Sequence, residues 1–574
     1  MSTADVITQE VIRARLDGIV REMQAAVLRT GFSTIIRESH DFSAGITDRD
    51  GNVVGQYSPL PPHLGAYPEC VKGVLQFYSF EEMEEGDCFL INHPYYSGCP
   101  HPNDMVVVLP VFHEGRVVAF CASMGHKSDI GGQSPGSRNT LARDVFGEGL
   151  QIMPVKFLSR REPLYETHQM LRANSRTPEL VIGDLGAQAG ALWSIGSTRL
   201  KHLMDEYGQE TVVTAFEQIG LRTEARVRQE IRQWPDGVYE AEAFTDDIVD
   251  PNRKLRLHVA AIKQGDSLTL DFSGTDDQSP GPINVRPPFI HGMAYYAVIA
   301  MIDPGVPNNF GLARAVECRF REGTVLNPTF PTPVGFYSMT LSTVEDIIFE
   351  ALSQAAGRPA VAHNASSGMV VMGTVGGGRR YVQYELMMSG NGAHHGGDGW
   401  TGTGHSWGGG SKITSAEILE SEFDVEMQRF ELVRDTRGPG GDPGGPCVAG
   451  GCSVVGRKHA VKDQSRYAGG SPRNLAPAHG VVGGMDGVGG AVTVNPGADD
   501  ERRYVGIISN VMIEQGDVVR VETGSAGGAG DPVERDRDRV VSDLRNGYIS
   551  TEAAVQVYGL DEEAISEALA VQAE

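Results

Sequence analysis

Two histidines and an aspartate stand close together in NHPYYSGCPHPNDMVVVLPVF, residues 92–112, just before a plain hydrophobic strand. The strand is followed by the short linker HEGR, a second hydrophobic run, VVAFCASM, and then His126. Two such runs joined by a short loop predict an antiparallel β-hairpin. The start of the first strand then lies beside the end of the second.

This hairpin would bring ligand-type side chains together. Counting outward from a turn near Glu114 places Asp104 opposite about position 125, beside His126, and His101 lies three residues before Asp104. Two imidazoles and a carboxylate are a mixed nitrogen and oxygen set suited to Zn, Mn or Fe with open coordination positions. A metal there can polarise a carbonyl or lower the pKa of a bound water. We therefore predict a metal site of His101, Asp104 and His126.

The interpretation has an ordinary alternative. Histidines in loops are often exposed, and an aspartate beside Asn and Pro is often a turn former. Asp41, in SHDFS at the start of another strand, is suitable as a fourth ligand, although spacing does not place it. In GHKSDIGGQSPGS, glycines 131, 132 and 136 can form an anion-binding nest of main-chain N–H groups, or only a flexible turn. Spacing alone leaves these alternatives open.

The elements that must position these residues follow from hydrophobic periodicity. Apolar positions recur at helical spacing over residues 7–29, and residues 195–234 are also helix-like. DFSAGITDRDGNVVGQ alternates around a DRDG turn and predicts a hairpin with Asp41 at its mouth. GVYEAEAFTDD and KLRLHVAAIKQGDSLTLDFSGT predict antiparallel strands, and DEEAISEALAVQA predicts a short terminal helix.

Glycine dominates residues 372–530, which favours tightly wound β-loops. We predict an α+β fold with mixed and antiparallel sheets, packed helices and several domains. The expected parts are a metal-site domain (1–190), a helical segment with a central β-rich module (191–370), and a glycine-rich β module with a C-terminal helix (371–574).

Composition limits the function classes. The 574 residues carry 49 Lys+Arg against 74 Asp+Glu, a net charge of -25, which argues against a nucleic-acid or anionic-membrane partner. Seven scattered cysteines fit free thiols, and the close pair CVAGGC is interpreted as structural, with zinc as the lesser alternative. No apolar run has the length of about 20 residues that a membrane span needs, and we see no signal peptide. We expect a cytoplasmic protein.

Nucleotide-binding motifs are missing from the sequence. No G-x-x-x-x-G-K-[ST] phosphate loop occurs, since GGGSK has a serine between glycine and lysine. No G-x-G-x-x-G follows a strand and opens a helix. We therefore expect no nucleotide site built on either motif in this chain.

The chain resembles the hydantoinase B family nearly from end to end. The resemblance is carried by HDFSAGITDRDGNVV, PPHLGAYPECVK, NHPYYSGCPHPNDMVVVLPVF, GHKSDIGGQSPGS, GEGLQIMPVKF, NSRTPELVIGDLGAQAGA, VLNPTFPTP and GSAGGAGDPVERDRDRVVSDLRNGYIS, which occur in order. The family includes B subunits of ATP-dependent N-methylhydantoinase, 5-oxoprolinase-type enzymes and caprolactamase, and the related large subunits of acetone and acetophenone carboxylases.

The resemblance implies the same ligand set. The family's His-x-x-Asp, followed by a histidine after the next strand, maps onto His101, Asp104 and His126, with Asp41 as the fourth ligand of a Zn or Mn site. His63 in PPHLGAY and Asp129 match nearby family positions and are candidates for the catalytic base. Where relatives commonly carry a second histidine after the metal histidine, this chain has lysine, and RGPGGDPGGPCVAGG is looser than the usual block. These departures concern substrate identity.

The resemblance also implies a divided reaction. An A-like ATPase subunit, with ATP-Mg, would phosphorylate the oxygen of a cyclic amide. A water bound to the metal of this B subunit would then attack the carbonyl carbon in a hetero-oligomeric hydrolase. An alternative keeps the metal and gives an ATP-dependent ketone carboxylase of the acetone or acetophenone type, although the acetone-type subunits tend to be longer. A further alternative is a non-catalytic scaffold subunit.

Overall fold

The computed structural model describes residues 5–57, 60–374, 380–394, 396–403, 406–440, 455–461 and 464–570. The chain forms two compact units, Met1–Glu240 with His258–Tyr337 and Ala241–Leu257 with Ser338–Glu574. The three-part division expected from the sequence stays a prediction. Within the described ranges, no helix is both long enough and apolar enough to cross a membrane.

A seven-stranded sheet is the centre of the first unit. Its strands run in the order β2-β1-β5-β4-β3-β6-β7, and every pairing in it is antiparallel. The strands are β1 (Phe42–Asp48), β2 (Val53–Tyr57), β3 (Cys88–Ile91), β4 (Asp104–His113), β5 (Arg116–His126), β6 (Val155–Ser159) and β7 (Glu162–Pro163). Both hairpins expected from the sequence are present.

Turn chemistry explains the second hairpin, β4–β5. Its two-residue turn, Glu114-Gly115, has positive φ at both positions, 47° and 75°. Such a turn matches the right-handed twist of the two strands that it joins. The strands on both sides are buried almost throughout, which fixes which face each side chain takes.

Helices pack on this sheet around one large core. The helices are α1 (Val6–Thr30), α2 (Thr34–Arg37), α3 (Tyr67–Leu75), α4 (Tyr165–Asn174), α5 (Pro178–Ala191), α6 (Thr198–Tyr207), α7 (Gln209–Ile231), α8 (Pro287–Ile302) and α9 (Phe310–Ala315). Helix α1 turns Ile12, Leu16, Val20 and Met23 into the core, at the spacing expected from the sequence.

The turn Pro61–Gly65 packs tightly against α8. A side-chain carbon at Gly65 or Gly292 would overlap main-chain atoms of the opposing element, so both positions require glycine. Further along, β8 (Gly237–Asp246), β9 (Lys254–Gln264), β10 (Ser267–Asp271) and β11 (Val316–Arg319) form a second sheet in the order β11-β10-β9-β8.

The second unit is built from two further sheets. The first has the order β13-β12-β16-β19 and the second β14-β15-β20-β17-β18, with antiparallel pairs throughout. The strands are β12 (Gly368–Thr374), β13 (Val382–Met387), β14 (Val425–Leu432), β15 (Val455–Val461), β16 (Ser465–Gly470), β17 (Ala491–Val494), β18 (Arg502–Val505), β19 (Ile507–Ile513) and β20 (Val518–Glu522). Within the described ranges, the glycine-rich residues 523–530 follow β20 directly. GTVGGGRR and RGPGGDPGGP extend outside the described residues.

Helices complete this unit: α10 (Tyr337–Ala356), α11 (Ala416–Glu422), α12 (Arg537–Arg545), α13 (Thr551–Gln556) and α14 (Glu562–Ala570). The last three share a small core of their own. The fold is thus α+β with several parts, as predicted. The five cysteines in the described ranges are free, and CVAGGC lies outside the described residues.

Candidate metal centre

One extra residue in the β4–β5 hairpin brings Asp104 opposite His126. The register shifts between Val111 and Phe112, because β5 contains Val118 as a bulge residue. From that point each residue of β4 pairs one position later than simple counting predicts. Asp104 therefore lies opposite His126, on the same face, instead of opposite position 125.

The ligand-type side chains of His101, Asp104 and His126 converge at this end of the sheet. His101 Nε2 lies 3.1 Å from Asp104 Oδ2, and His126 Nδ1 lies 3.0 Å from Asp104 Oδ1. One potential ligand atom from each residue lies within 4.8 Å of the other two, and all three side chains are buried. The convergence inferred from the hairpin is observed.

Burial sets the charge of the cluster. It lowers the pKa of His101, and it lowers the pKa of His126 to about 3, so both imidazoles are neutral near pH 7. Burial alone would raise the pKa of Asp104, but the two facing imidazoles hold it well below its ordinary value. His101 Nδ1 lies 3.2 Å from the Gly335 carbonyl oxygen, which can only accept. A neutral His101 that donates through Nδ1 to this carbonyl carries its lone pair on Nε2.

Gly335 and Tyr337, the last residues of the first unit, lie against the cluster. The Tyr337 hydroxyl donates to Asp104 Oδ2 at 3.5 Å, and its ring lies 5.0 Å from that of His101. Gly335 is held on both sides: Arg138 also donates to its carbonyl oxygen, and its N–H donates to Glu148 Oε1. Burial raises the pKa of Glu148 to about 8.

Asp41 lies next to the cluster but not in it. The main-chain N–H of His126 donates to the Asp41 carbonyl oxygen at 3.1 Å, which fixes the strand start beside the site. The Asp41 carboxylate is not among the three groups whose ligand atoms converge. Burial, followed by the charge of Asp104, raises the pKa of Asp41 to about 8.

Lys127, directly after β5, is buried and bonded to two acceptors. Its Nζ donates to the Gly125 carbonyl oxygen and to Gln188 Oε1, both at 2.7 Å. Burial lowers the pKa of Lys127 to about 8. Lys127 thus joins β5 to α5.

His63 is held from behind by hydroxyl groups. Its Nδ1 lies 2.7 Å from Ser43 Oγ, which lies 2.6 Å from the Tyr67 hydroxyl. The His63 ring lies 5.5 Å from that of Phe289, which in turn lies 5.2 Å from the Tyr337 ring. Burial lowers the pKa of His63 to about 4, and the charge of Asp104 opposes that shift.

Asp129 is enclosed by donors of its own loop and of the α4–α5 connection. The N–H groups of Gly131 and Gly136 donate to it at 3.0 and 2.9 Å, and Arg176 donates through its main chain and its guanidinium. Burial raises its pKa, and Arg176 opposes that shift. The glycine loop does face an anion, and this anion is the chain's own carboxylate.

Several contributors were not identified from the sequence. Gly335 and Tyr337 follow the block VLNPTFPTP, and Glu148 lies within GEGLQ. Both blocks carried the family resemblance, but neither gave these residues a role. Ser43 and Tyr67 had no signal in spacing, because β1 and α3 meet only through the fold.

The chain was compared with known proteins. The family model for Hydantoinase B/oxoprolinase matches residues 5–532. A protein of Pseudomonas sp. (strain NS671), named as the B component of a D-/L-hydantoinase, is 30% identical over 97% of this chain and 95% of its own length. Arabidopsis thaliana 5-oxoprolinase 1 is 27% identical over 92% of this chain but only 42% of its own length.

Solved structures share the fold. The ATP-dependent caprolactamase of Pseudomonas jessenii superposes with a TM-score of 0.87, at 26% identity, over 100% of both chains. Acetone carboxylase superposes with a TM-score of 0.84, at 18% identity, over 99% of this chain and 83% of that one. The second likeness is one of fold alone.

Proposed function

We propose that this chain, which belongs to the hydantoinase B/oxoprolinase family, is the B subunit of an ATP-dependent cyclic-amide hydrolase. The observation that carries the proposal is the buried cluster of His101, Asp104 and His126. The family resemblance and the geometry of the hairpin both pointed to these three residues as metal ligands.

The donor set fits a divalent cation. His101 Nε2 and Asp104 Oδ2 face each other at 3.1 Å, and both are acceptors when His101 donates through Nδ1 to Gly335. Two buried acceptors in contact repel unless a proton or a cation lies between them. Burial disfavours a protonated His101. A Zn or Mn ion is therefore the better way to relieve the repulsion between the two acceptors.

The residues proposed to hold the metal are His101, Asp104 and His126. Asp41 is the proposed fourth ligand, and it would join by a change in its side-chain position. A divalent metal bound at these residues supplies Lewis-acid polarisation of a carbonyl and a lower pKa for water. Gly335 fixes the ring of His101 through Nδ1, as outer partners of metal histidines do.

ATP chemistry is assigned to an A-like partner subunit. The sequence contains no phosphate-loop motif, whereas the caprolactamase of the same fold is named as ATP-dependent. Arabidopsis 5-oxoprolinase 1 matches this chain over less than half of its length. The remainder of that longer protein is suitable as a counterpart of the proposed partner.

The proposed substrate is a cyclic amide whose carbonyl oxygen the partner phosphorylates. Phosphorylation removes the resonance that protects the amide. Opening the ring then requires an oxygen nucleophile at the carbonyl carbon and a proton at the ring nitrogen. One water supplies both, and a second water is consumed when phosphate is released. This chain's own residues would orient the ring and exclude bulk water.

The first test is metal content. We expect elemental mass spectrometry to find about one Zn or Mn per wild-type chain, and a loss of metal in Asp104→Ala and His126→Ala. His113→Ala, at the other end of the same hairpin, is the matched control and should keep its metal. Folding of each variant is checked by circular dichroism and thermal unfolding.

The second test is turnover with ATP, the partner subunit and a panel of cyclic amides. Ring-opened product and ADP should form with the wild type and not with Asp104→Ala. A wild type that binds no metal after reconstitution with Zn or Mn would overturn the metal mechanism. Undiminished turnover by Asp104→Ala would instead favour a scaffold role, and bicarbonate-dependent consumption of a ketone would favour the carboxylase.

A further inference from the structure

A hydrogen-bonded row of side chains leads to His63. It joins the Tyr67 hydroxyl to Ser43 Oγ at 2.6 Å and Ser43 Oγ to His63 Nδ1 at 2.7 Å. All three residues are at most 2% exposed, so water does not compete for these bonds. No sequence motif assigned a role to Ser43 or Tyr67.

The direction of the row follows from its donors. A phenol is a stronger donor and a weaker acceptor than an alcohol, which favours donation from Tyr67 to Ser43. Ser43 has one proton and then donates it to His63. Bonds aligned in one direction strengthen each other.

This direction fixes the tautomer of His63. Because Nδ1 accepts from Ser43, the proton of the neutral ring is on Nε2. Nε2 is the ring nitrogen that this row does not engage. Such an imidazole is a hydrogen-bond donor, and it has no free lone pair with which to act as a base.

The fold holds this ring beside the metal centre. His63 belongs to the turn that packs against α8, and Phe289 of α8 contacts both His63 and Tyr337. Tyr337 donates to Asp104. His63 therefore shares an aromatic wall with the cluster.

We propose that His63 donates a hydrogen bond through Nε2–H to the reacting oxygen of the substrate, with Ser43 and Tyr67 as positioning residues that impose the tautomer. The inference rests on the proposed function and replaces the base role expected for His63. The ligand group is a carbonyl or phosphorylated amide oxygen, where negative charge develops during attack. A fixed neutral donor is suited to that position.

Glutamine and leucine distinguish a donor from a base. In His63→Gln, the side-chain amide N–H reaches about where Nε2–H lies, so the variant can still donate a hydrogen bond but cannot act as a base. His63→Leu can neither donate a hydrogen bond nor act as a base. We expect His63→Leu to lower kcat by about 100- to 1,000-fold, the range for loss of one such donor. His63→Gln should remain within about tenfold of wild type. Equal losses in the two variants would overturn the proposal.

A second readout needs no turnover. Imidazole ¹⁵N spectra of histidine-labelled full-length protein, with His63 assigned by its absence in His63→Gln, should show an unprotonated Nδ1 and a protonated Nε2. Ser43→Ala and Tyr67→Phe should shift this pattern, and Ser43→Thr should restore it. Tyr78→Phe, three residues beyond the end of the same helix, is the control and should change nothing. A protonated Nδ1 in the wild type would overturn the proposal.

The two proposals fail in different ways. All of these variants should retain the wild-type metal content, since none removes a proposed ligand. A wild type without metal or turnover would overturn the proposed function and the substrate contact that rests on it. Normal metal and turnover with a protonated Nδ1 would overturn only the inference about His63.

Discussion

Asp104, at the start of β4, and Asp129, in the loop after β5, are both buried carboxylates, and their surroundings differ in kind. Asp129 receives two glycine N–H groups and the main chain and guanidinium of Arg176. Asp104 faces two neutral imidazoles and a tyrosine hydroxyl. The first carboxylate pairs with an arginine, and the second pairs with neutral groups. The buried carboxylate that faces neutral groups, Asp104, marks the candidate metal site. The buried carboxylate whose charge is balanced by an arginine, Asp129, holds its loop in place.

The strongest challenge to this comparison is Asp104→Asn. An amide keeps the shape of the side chain but removes the charge that would attract a cation. We therefore expect the variant to lose its metal and its kcat/KM to fall by more than about 100-fold. That fall is larger than the effect of mutating a residue that only hydrogen-bonds to a metal ligand. Elemental analysis and steady-state kinetics measure both. Retained metal would place the ligand set elsewhere.

Gly335→Ala tests whether the loop orients the cluster. A side-chain carbon there would lie 2.8 Å from Glu148 Oε1, so Glu148 or the loop must shift. We expect metal affinity to fall by about 10- to 100-fold, as for other partners of metal histidines, measured by competition with a chelator. Gly323→Ala, which meets no atom within 4 Å but has a positive φ of 77°, controls for a general effect of backbone strain.

Asp129→Asn should affect stability more than chemistry. The amide N–H₂ would face donors, at a cost of about 1–3 kcal/mol, and the thermal midpoint should fall while metal content remains. Asp48→Asn, an exposed turn carboxylate that also accepts main-chain N–H groups, should cost less. If Asp129→Asn lost its metal with its fold intact, Asp129 would belong to the site.

Glu148→Gln tests a third way of burying a carboxyl group, in which the group is neutral because it keeps its own proton. Its pKa is raised from 4.5 to about 8 in the folded protein, so the folded state keeps a proton that the unfolded state loses between these values. Stability from this group is present below about pH 4.5 and is lost as the pH rises through about 8. The variant's thermal midpoint should therefore decline less than that of wild type between pH 5 and pH 8. Parallel curves would contradict a neutral Glu148.

Local patterns predicted much of the fold and the centre of the site. Helix α1, both hairpins and the convergence of Asp104 and His126 at one end of the sheet follow from periodicity and turn residues. The direct pairing of these two residues depends on the bulge. The resemblance also selected His63 and Asp129, but types and spacing did not reveal their hydrogen-bond partners. His63 depends on Ser43 and Tyr67, and Asp129 on Arg176.

Long-range contacts account for what was missed. Gly335 meets His101 across 234 residues and Glu148 across 187 residues. No local pattern encodes such contacts, because they depend on how α8 and the loop before α10 pack on the sheet. The bulge at Val118 was also unforeseen, since a valine in a buried strand carries no signal of irregularity.

Because of that bulge, the number of residues between Asp104 and His126 decides whether the two can pair. In a regular hairpin closed by a two-residue turn, residues directly opposite each other differ by an odd number. Asp104 and His126 differ by 22, an even number, and they pair only because of the extra residue. Deleting the bulge residue Val118 would preserve every motif letter, make the separation odd and keep the histidine opposite Asp104 in a regular ladder. A relative with an odd separation and the same turn would need a regular ladder to form the same pair.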